Sequence, residues 1–365
     1  MAKRIIISGG GTGGHIFPAI AIANALKRLD PATEILFVGA NGRMEMEKVP
    51  AAGYKIVGLD IQGFQRHSLL KNLKLPFKVV ASLVKARAVI REFKPDAAVG
   101  VGGYASGPLL LAAGNMNVPY LIQEQNSYAG MTNKWLGRKA EKICVAFSGM
   151  DQFFPADKLL MTGNPIRKEA VDVDGKRAEA LASFGLSGDK KTVLVTGGSL
   201  GAGTLNKSML AELDLFDKED VQLIWQTGKF YYKSILEKTQ DKVHENVRIV
   251  EFLNRMDLAY AAADVIISRA GAGTIAELCV IAKPVILVPS PNVAEDHQTQ
   301  NAMALVKRNA AVLITDQEAE GTLGSLAVSL IRDEQKCREL RANIAGLALP
   351  DADDVIAKEV LIIAK

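Results

Sequence analysis

The chain has 365 residues, 48% of them hydrophobic and 23% charged, a balance that excludes a disordered protein and suits two domains of ordinary length. A formal net charge of +4 is too small to argue for nucleic acid as a partner. Cys144, Cys279 and Cys337 lie far apart with no CxxC or HExxH spacing, which points to buried or incidental thiols in a reducing compartment, not to disulfides or a metal centre. In chain order, the uninterrupted Ile5, Ile6 and Ile7 suit a central parallel strand buried on both faces. Gly9, Gly10, Gly11, Gly13 and Gly14 follow, and Ala19, Ile20, Ala23 and Leu26 continue at helical spacing. Such a turn presents backbone N–H groups at the positive end of a helix dipole, where phosphate oxygens bind. Gly9-x-Gly11-x-x-Gly14 also describes nicotinamide dinucleotide sites. The next strand, Ile35 to Val38, ends in Gly39-Ala40-Asn41-Gly42-Arg43, however, with no acid for a ribose, and the dehydrogenase reading recedes.

Strands and helices then alternate. A helix near 44–52, a strand near 54–59 and a loop through Gly63 precede a long helical pattern from Leu75 to Phe93. A strand over 97–101, the turn Gly102-Gly103-Tyr104, a helix over 107–116 and strands over 120–123, 142–146 and near 158–161 complete the unit. Gly163-Asn164-Pro165 is punctuation, followed by a polar helix over 176–184. The opening pattern then recurs as an apolar strand over 192–196, a glycine turn over 197–203 and a helix over 204–213. Further alternation follows: strands over 222–226, 247–252, 265–268 and 285–288 with helices over 230–239, 256–262 and 275–281, then final helices over 335–345 and 351–364. The expectation is an α/β chain with two Rossmann-like, doubly wound domains. The boundaries are 1–163 for the first, with a C-terminal helix within 347–365 packing back on it, and 164–346 for the second.

Several residues suit chemistry at the strand ends, where open α/β sheets bind ligands. His15 directly follows the first glycine turn and could serve as a general base toward a hydroxyl, donate to a phosphate, or cap the helix. Ser199 suits a phosphate or a uracil-type edge, or a plain tight turn. Glu277, early in its helix, is favoured by the dipole and matches vicinal ribose hydroxyls. Gln298 offers an uncharged amide for sugar hydroxyls in what is otherwise a solvated helix start. From Lys71 to Arg91, Leu73, Phe77, Val80, Leu83 and Val84 alternate with Lys71, Lys74, Lys78, Lys85, Arg87 and Arg91. That pattern fits a helix lying on anionic lipid as well as a core-facing stripe with a solvated basic face. The chain enters a strand within its first residues, which leaves no room for a signal peptide, and holds no apolar run of about 18 residues. The expected location is the cytoplasm, with membrane contact from that side.

Together, Gly9–His15 with Pro18 and Ala19, Gly102-Gly103-Tyr104, Glu124-Gln125-Asn126 with Ala129-Gly130, Gly163-Asn164-Pro165 with Arg167, Gly197-Gly198-Ser199 with Gly201-Ala202, Arg269-Ala270-Gly271-Ala272 with Glu277, and Gln298 with Asn301-Ala302 resemble the MurG family of glycosyltransferases. Members of that family convert lipid I to lipid II in bacterial peptidoglycan synthesis. The resemblance implies a GT-B fold, two Rossmann-like domains facing a cleft, and UDP-N-acetylglucosamine as donor. Ser199, Arg167 and Ala272, Gly273, Thr274, Ile275 and Ala276 would hold uridine and diphosphate, Leu253 the uracil through its backbone, Glu277 the ribose and Gln298 the sugar. Thr12, Gly13, Gly14 and Asn126 would complete the site, and the lipid I acceptor would enter over the first domain beside Tyr104, with Phe77, Val80 and Leu83 on the inner leaflet. Gln123 stands where many relatives have His, and Gly273 where the turn often carries a larger residue.

By the same resemblance the acceptor hydroxyl attacks C1 with inversion, with His15 as candidate base and helix N-termini and Arg167 stabilising the leaving UDP, so that no cofactor or protein-bound metal is required. The implied partners are the donor, lipid I, anionic inner-leaflet lipids and other cell-wall synthesis proteins, at the cytoplasmic face of the membrane. Two rivals stand beside this reading, a glycosyltransferase acting on diacylglycerol and a nucleotide-sugar epimerase or isomerase; a non-enzymatic nucleotide-binding module fits less well, because one ligand would not require polar loops from both domains.

Overall fold

The computed structural model describes residues 2–61, 75–240 and 244–364. Gly63, Lys71, Leu73 and Lys74 of the sequence reading lie outside the described residues. The chain divides into two units, Met1–Ile166 with Leu349–Lys365, and Arg167–Ala348.

In the first unit, β1 (Arg4–Gly9), β2 (Glu34–Ala40), β3 (Lys55–Leu59), β4 (Ala97–Gly102), β5 (Tyr120–Glu124), β6 (Lys142–Val145) and β7 (Leu159–Met161) form one sheet in the order β3-β2-β1-β4-β5-β6-β7. Every pairing is parallel, with Ile5 beside Ile35 on one flank and Ala97 on the other. Strand order reverses between β1 and β4, which brings the turns after both strands together at the carboxyl edge. Successive isoleucines of β1 serve opposite faces. Ile6 joins Leu109, Leu110, Val89 and Ile90 under the helices Leu75–Phe93 and Ser106–Asn115. Ile5 and Ile7 join Ile16, Ile22 and Leu26 of the helix Gly13–Leu29, together with Ile356, Ala357 and Val360 of the C-terminal helix Ala352–Ile363. That last helix is pinned by Arg28, whose Nη2 donates to Asp353 and Asp354 at 2.7 Å each, and by Lys3 Nζ, which donates to the Ala364 carbonyl at 3.0 Å.

The second unit repeats the plan with β8 (Thr192–Thr196), β9 (Gln222–Gln226), β10 (Val247–Val250), β11 (Val265–Ser268), β12 (Val285–Leu287) and β13 (Val312–Leu313), ordered β10-β9-β8-β11-β12-β13 and all parallel. Its reversal falls between β8 and β11. Trp225 is fully buried in the core, where its indole N–H donates to Asn206 Oδ1 at 2.9 Å.

Beyond the elements expected from sequence, the structure has β13 and the helices Met131–Gly137, Lys168–Val171, Leu213–Lys218 and Leu323–Arg332. β13 is two residues long and owes its extended form to pairing with β12, a contact that no local pattern announces. The third glycine turn is shorter than expected, because its helix runs Ala272–Ile281 and Gly271 is the extended residue before it.

Candidate active site

At the carboxyl edge of the first sheet the glycine turn is built around a buried acid. Glu45 is 1% exposed; its Oε2 accepts the Gly11 N–H at 2.9 Å and its Oε1 the Ala40 N–H at 3.0 Å. A Cβ on Gly10 would lie 2.3 Å from Glu45 Oε1, and one on Gly39 2.6 Å from Glu45 Cγ, so the carboxylate occupies the space that side chains there would need. The Gly11 amide therefore faces protein, contrary to the simple view that the whole turn offers N–H groups to a phosphate. The His15 and Ile16 amides turn back to the Thr12 carbonyl at 3.1 and 3.2 Å. The first N–H groups of the helix, those of Gly13 and Gly14, have no intrahelical acceptor and are available to a ligand.

His15 is half-buried, with Nδ1 3.1 Å from the Gly10 carbonyl and 3.5 Å from Thr12 Oγ1. A carbonyl only accepts, so this contact assigns the proton to Nδ1 and leaves the basic lone pair of the neutral ring on Nε2. Gly102, at φ +104°, makes room for the ring, since a Cβ there would lie 2.6 Å from His15 Cδ2. Glu124 organises the neighbouring loop by accepting from the Asn126 and Gly130 amides at 3.1 Å each and from Asn133 Nδ2 at 2.8 Å. Burial pushes its carboxyl above the usual range, and these donors pull it back. Asn126 thus stands at the same edge as the glycine turn. Gln123 donates to Asn164 Oδ1 at 2.7 Å, and Asn164 Nδ2 to the Gln125 carbonyl at 3.0 Å. Tyr104 is exposed, with the Arg43 guanidinium 5.7 Å from its ring centre.

On the helix Leu75–Phe93, Phe77 is 78% exposed and Val80 and Val84 are also exposed. Leu83, expected on that surface, is half-buried; Val84 stands out instead. Met131 and Trp135 are exposed on the helix Met131–Gly137, which packs, like Leu75–Phe93, against Ser106–Asn115.

At the carboxyl edge of the second sheet, Ser199 is exposed in a turn closed by Gly201, at φ +85°, where a Cβ would lie 2.0 Å from the Thr227 carbonyl. Ala272, Gly273, Thr274, Ile275 and Ala276 form the first turns of their helix, and no atom lies within 4 Å of where a Gly273 Cβ would sit. Glu277 lies beyond the first turn, so the dipole alone does not account for it. It is 6% exposed and held by Arg167, with Nε to Oε1 at 3.0 Å and Nη2 to Oε2 at 3.3 Å, and by the Tyr260 hydroxyl, 3.2 Å from Oε2. Gln298 Oε1 accepts the Ser290 N–H at 2.9 Å, a bond that does not engage its NH₂. Leu253 is buried beside the exposed Phe252. Arg269 bonds Asp316 and the Val288 and Pro289 carbonyls, bracing the loop beneath.

The sequence reading brought out neither Glu45 nor Tyr260. A phenol amid the apolar run Leu258-Ala259-Tyr260-Ala261 was a usable signal, since a buried tyrosine hydroxyl needs a partner. All three cysteines are free thiols. Among the described residues no group of three His, Cys, Asp or Glu side chains could hold a metal ion, and no helix is long and apolar enough to cross a membrane.

Residues 5–145 match the glycosyltransferase family 28 N-terminal domain, and residues 192–355 the family 28 C-terminal domain. The chain is 57% identical over its whole length, and 96% of the relative's, to the UDP-N-acetylglucosamine–N-acetylmuramyl-(pentapeptide) pyrophosphoryl-undecaprenol N-acetylglucosamine transferase of Bacteroides fragilis. It is 58% identical to the enzyme of the same name from Parabacteroides distasonis, over 98% of this chain and 97% of that one. Among solved structures, Acinetobacter baumannii MurG superposes with a TM-score of 0.80 at 27% identity over 99% of both chains. A UDP-N-acetylglucosamine 2-epimerase from Neisseria meningitidis, at 17% identity and a TM-score of 0.65 over 99% of this chain and all of that one, shares the fold alone. The chain belongs to glycosyltransferase family 28 and, within it, to the N-acetylmuramyl-(pentapeptide) pyrophosphoryl-undecaprenol N-acetylglucosamine transferases.

Proposed function

We propose that the protein transfers N-acetylglucosamine from UDP-N-acetylglucosamine to the C4 hydroxyl of N-acetylmuramyl-pentapeptide-diphospho-undecaprenol, converting lipid I to lipid II with inversion at C1. The observation that carries this reading is a helix that starts at Ala272, at the carboxyl edge of the sheet, backed by a carboxylate, Glu277, held by Arg167 and Tyr260. That arrangement suits a nucleoside diphosphate, with N–H groups for the phosphates and two acceptor oxygens for vicinal ribose hydroxyls. Ser199 and the Leu253 backbone attend the uridine, and the Gln298 amide the sugar.

In the first unit His15 removes the acceptor proton through Nε2, with its ring oriented by the Gly10 carbonyl. Thr12, Gly13, Gly14 and Asn126 serve the substrates beside it, and Tyr104 lies along the acceptor. As the C4 oxygen bonds to C1, the bond from C1 to the diphosphate breaks and the electron pair leaves with UDP. Helix N–H groups and Arg167 stabilise that growing charge, so that the reaction needs no protein-bound metal. Phe77 and Val80, with Leu83 beside them, rest on anionic lipid at the cytoplasmic face of the membrane, where other cell-wall synthesis proteins are partners.

The test is UDP release from UDP-N-acetylglucosamine with and without a soluble lipid I analogue, in chelator and then in magnesium. Acceptor-dependent release that survives chelator is the expected result. Turnover without acceptor would point to an epimerase, and activity on diacylglycerol alone to a lipid glycosyltransferase; either would overturn the reading.

A further inference from the structure

Tyr260 belongs to the helix Met256–Ala262, none of whose residues is proposed to touch substrate, yet its side chain reaches Glu277. It is 1% exposed, and its hydroxyl donates to Glu277 Oε2 at 3.2 Å. The backbone of the same residue is clamped from the other end. Lys283 Nζ donates to the carbonyls of Tyr260 at 2.6 Å, Ala261 at 2.9 Å and Ala263 at 2.6 Å. All three ammonium protons thus close the C-terminal end of that helix, where a cation is favoured.

Two facts make the phenol more than a packing group. The terminal torsion of a glutamate is broad, so a carboxylate needs several contacts to hold one plane. Its other partner, Arg167, has a side chain 49% exposed and is the group proposed to attend the diphosphate, so it cannot be counted on to hold the carboxylate once donor is bound. Tyr260 is buried and has no such second task. It takes one acceptor site on Oε2 and leaves the rest of the carboxylate for two hydroxyls.

We infer that Tyr260 is a positioning residue that orients Glu277 toward the ribose hydroxyls of the donor nucleotide, with Lys283 holding Tyr260 in register. The inference rests on the reading of Glu277 as the ribose partner.

The test is binding of UDP and of 2′-deoxy-UDP, by calorimetry, to the wild type, Tyr260→Phe, Glu277→Gln and the double variant, with the KM and kcat for UDP-N-acetylglucosamine measured alongside. In Tyr260→Phe the UDP affinity is expected to fall about tenfold, the affinity for 2′-deoxy-UDP, which keeps only the 3′ hydroxyl, by about threefold, and KM to rise with little change in kcat. In the Glu277→Gln background, Tyr260→Phe is expected to add less than about twofold. Equal losses for both nucleotides, no loss for either, or additive losses in the double variant would overturn the inference. A wild type that binds both nucleotides equally would instead overturn the ribose reading of Glu277. Lys283→Met gives a second view, with a larger loss of affinity expected for UDP than for 2′-deoxy-UDP; an equal loss for both would remove Lys283 from the arrangement.

Discussion

Replacing Gly10 by alanine tests whether the buried Glu45 carboxylate organises the first glycine turn. The new Cβ would stand 2.3 Å from Glu45 Oε1 and 2.4 Å from Cδ, far inside contact distance, so the carboxylate must move. Moving it removes the acceptor of the Gly11 and Ala40 amides. Overpacking a tight interior costs about 1–3 kcal/mol, and each lost bond to a charged group about 1.5–3 kcal/mol. The smaller entropy of the unfolded alanine chain returns about 0.4–1 kcal/mol. With one of the two bonds re-formed after relaxation, the net destabilisation is about 3 kcal/mol. Gly11→Ala is the natural control. Nothing lies within 4 Å of its Cβ position, and the only penalty is its φ of +85°, worth about 1–2 kcal/mol. The assay is the urea midpoint of both variants, together with hydrogen exchange at the Ala40 amide. Gly10→Ala is expected to lower the midpoint more than Gly11→Ala and to speed exchange at Ala40. A Gly10→Ala protein as stable as the wild type, with Ala40 still protected, would refute the reasoning.

Ile356 of the C-terminal helix is fully buried among Ile5, Ile7 and Leu26, so Ile356→Ala should destabilise the first unit by about 2–5 kcal/mol in urea unfolding, whereas Arg28→Ala, which takes a guanidinium from the buried Asp353 carboxylate, should cost about 1–3 kcal/mol. The Arg255 guanidinium, with Lys176 beside it, holds the Asp257 carboxyl well below the usual carboxylate range. Near pH 4 the unfolded chain therefore binds the extra proton; the stabilisation is complete above that pH and is lost as pH falls below it. The difference in urea midpoint between the wild type and Asp257→Asn should accordingly be larger at pH 6 than at pH 3, and an equal difference at both would count against the pair. Exposed Phe77 and Val80 should carry membrane contact, so the Phe77→Ser, Val80→Ser double variant should lose at least about tenfold in sedimentation with phosphatidylglycerol vesicles; unchanged binding would move the contact elsewhere.

Much of the fold was legible because its signals are local. An apolar strand, a glycine turn and a helix are contiguous, and that pattern occurs at the first long strand of each unit. Residues 75–93 read as a helix from spacing alone, and the helix Leu75–Phe93 has those bounds. What spacing could not supply was partnership. Gly10 and Gly39 are small because of Glu45, and Glu277 is held by Arg167, 110 residues earlier, and by Tyr260, 17 earlier. The short β13 and the exposure of Val84 in place of Leu83 were likewise set by neighbours distant in sequence. The sequence by itself determined the alternation of strands and helices, the positions of the glycine turns and the residue types offered at strand ends, since these follow from backbone sterics and hydrophobic period. Only the tertiary structure decided which amides of a turn face protein, which nitrogen of His15 keeps its lone pair and which phenol supports Glu277. Those are contacts between elements far apart in the chain, formed when strand order brings their ends to one edge.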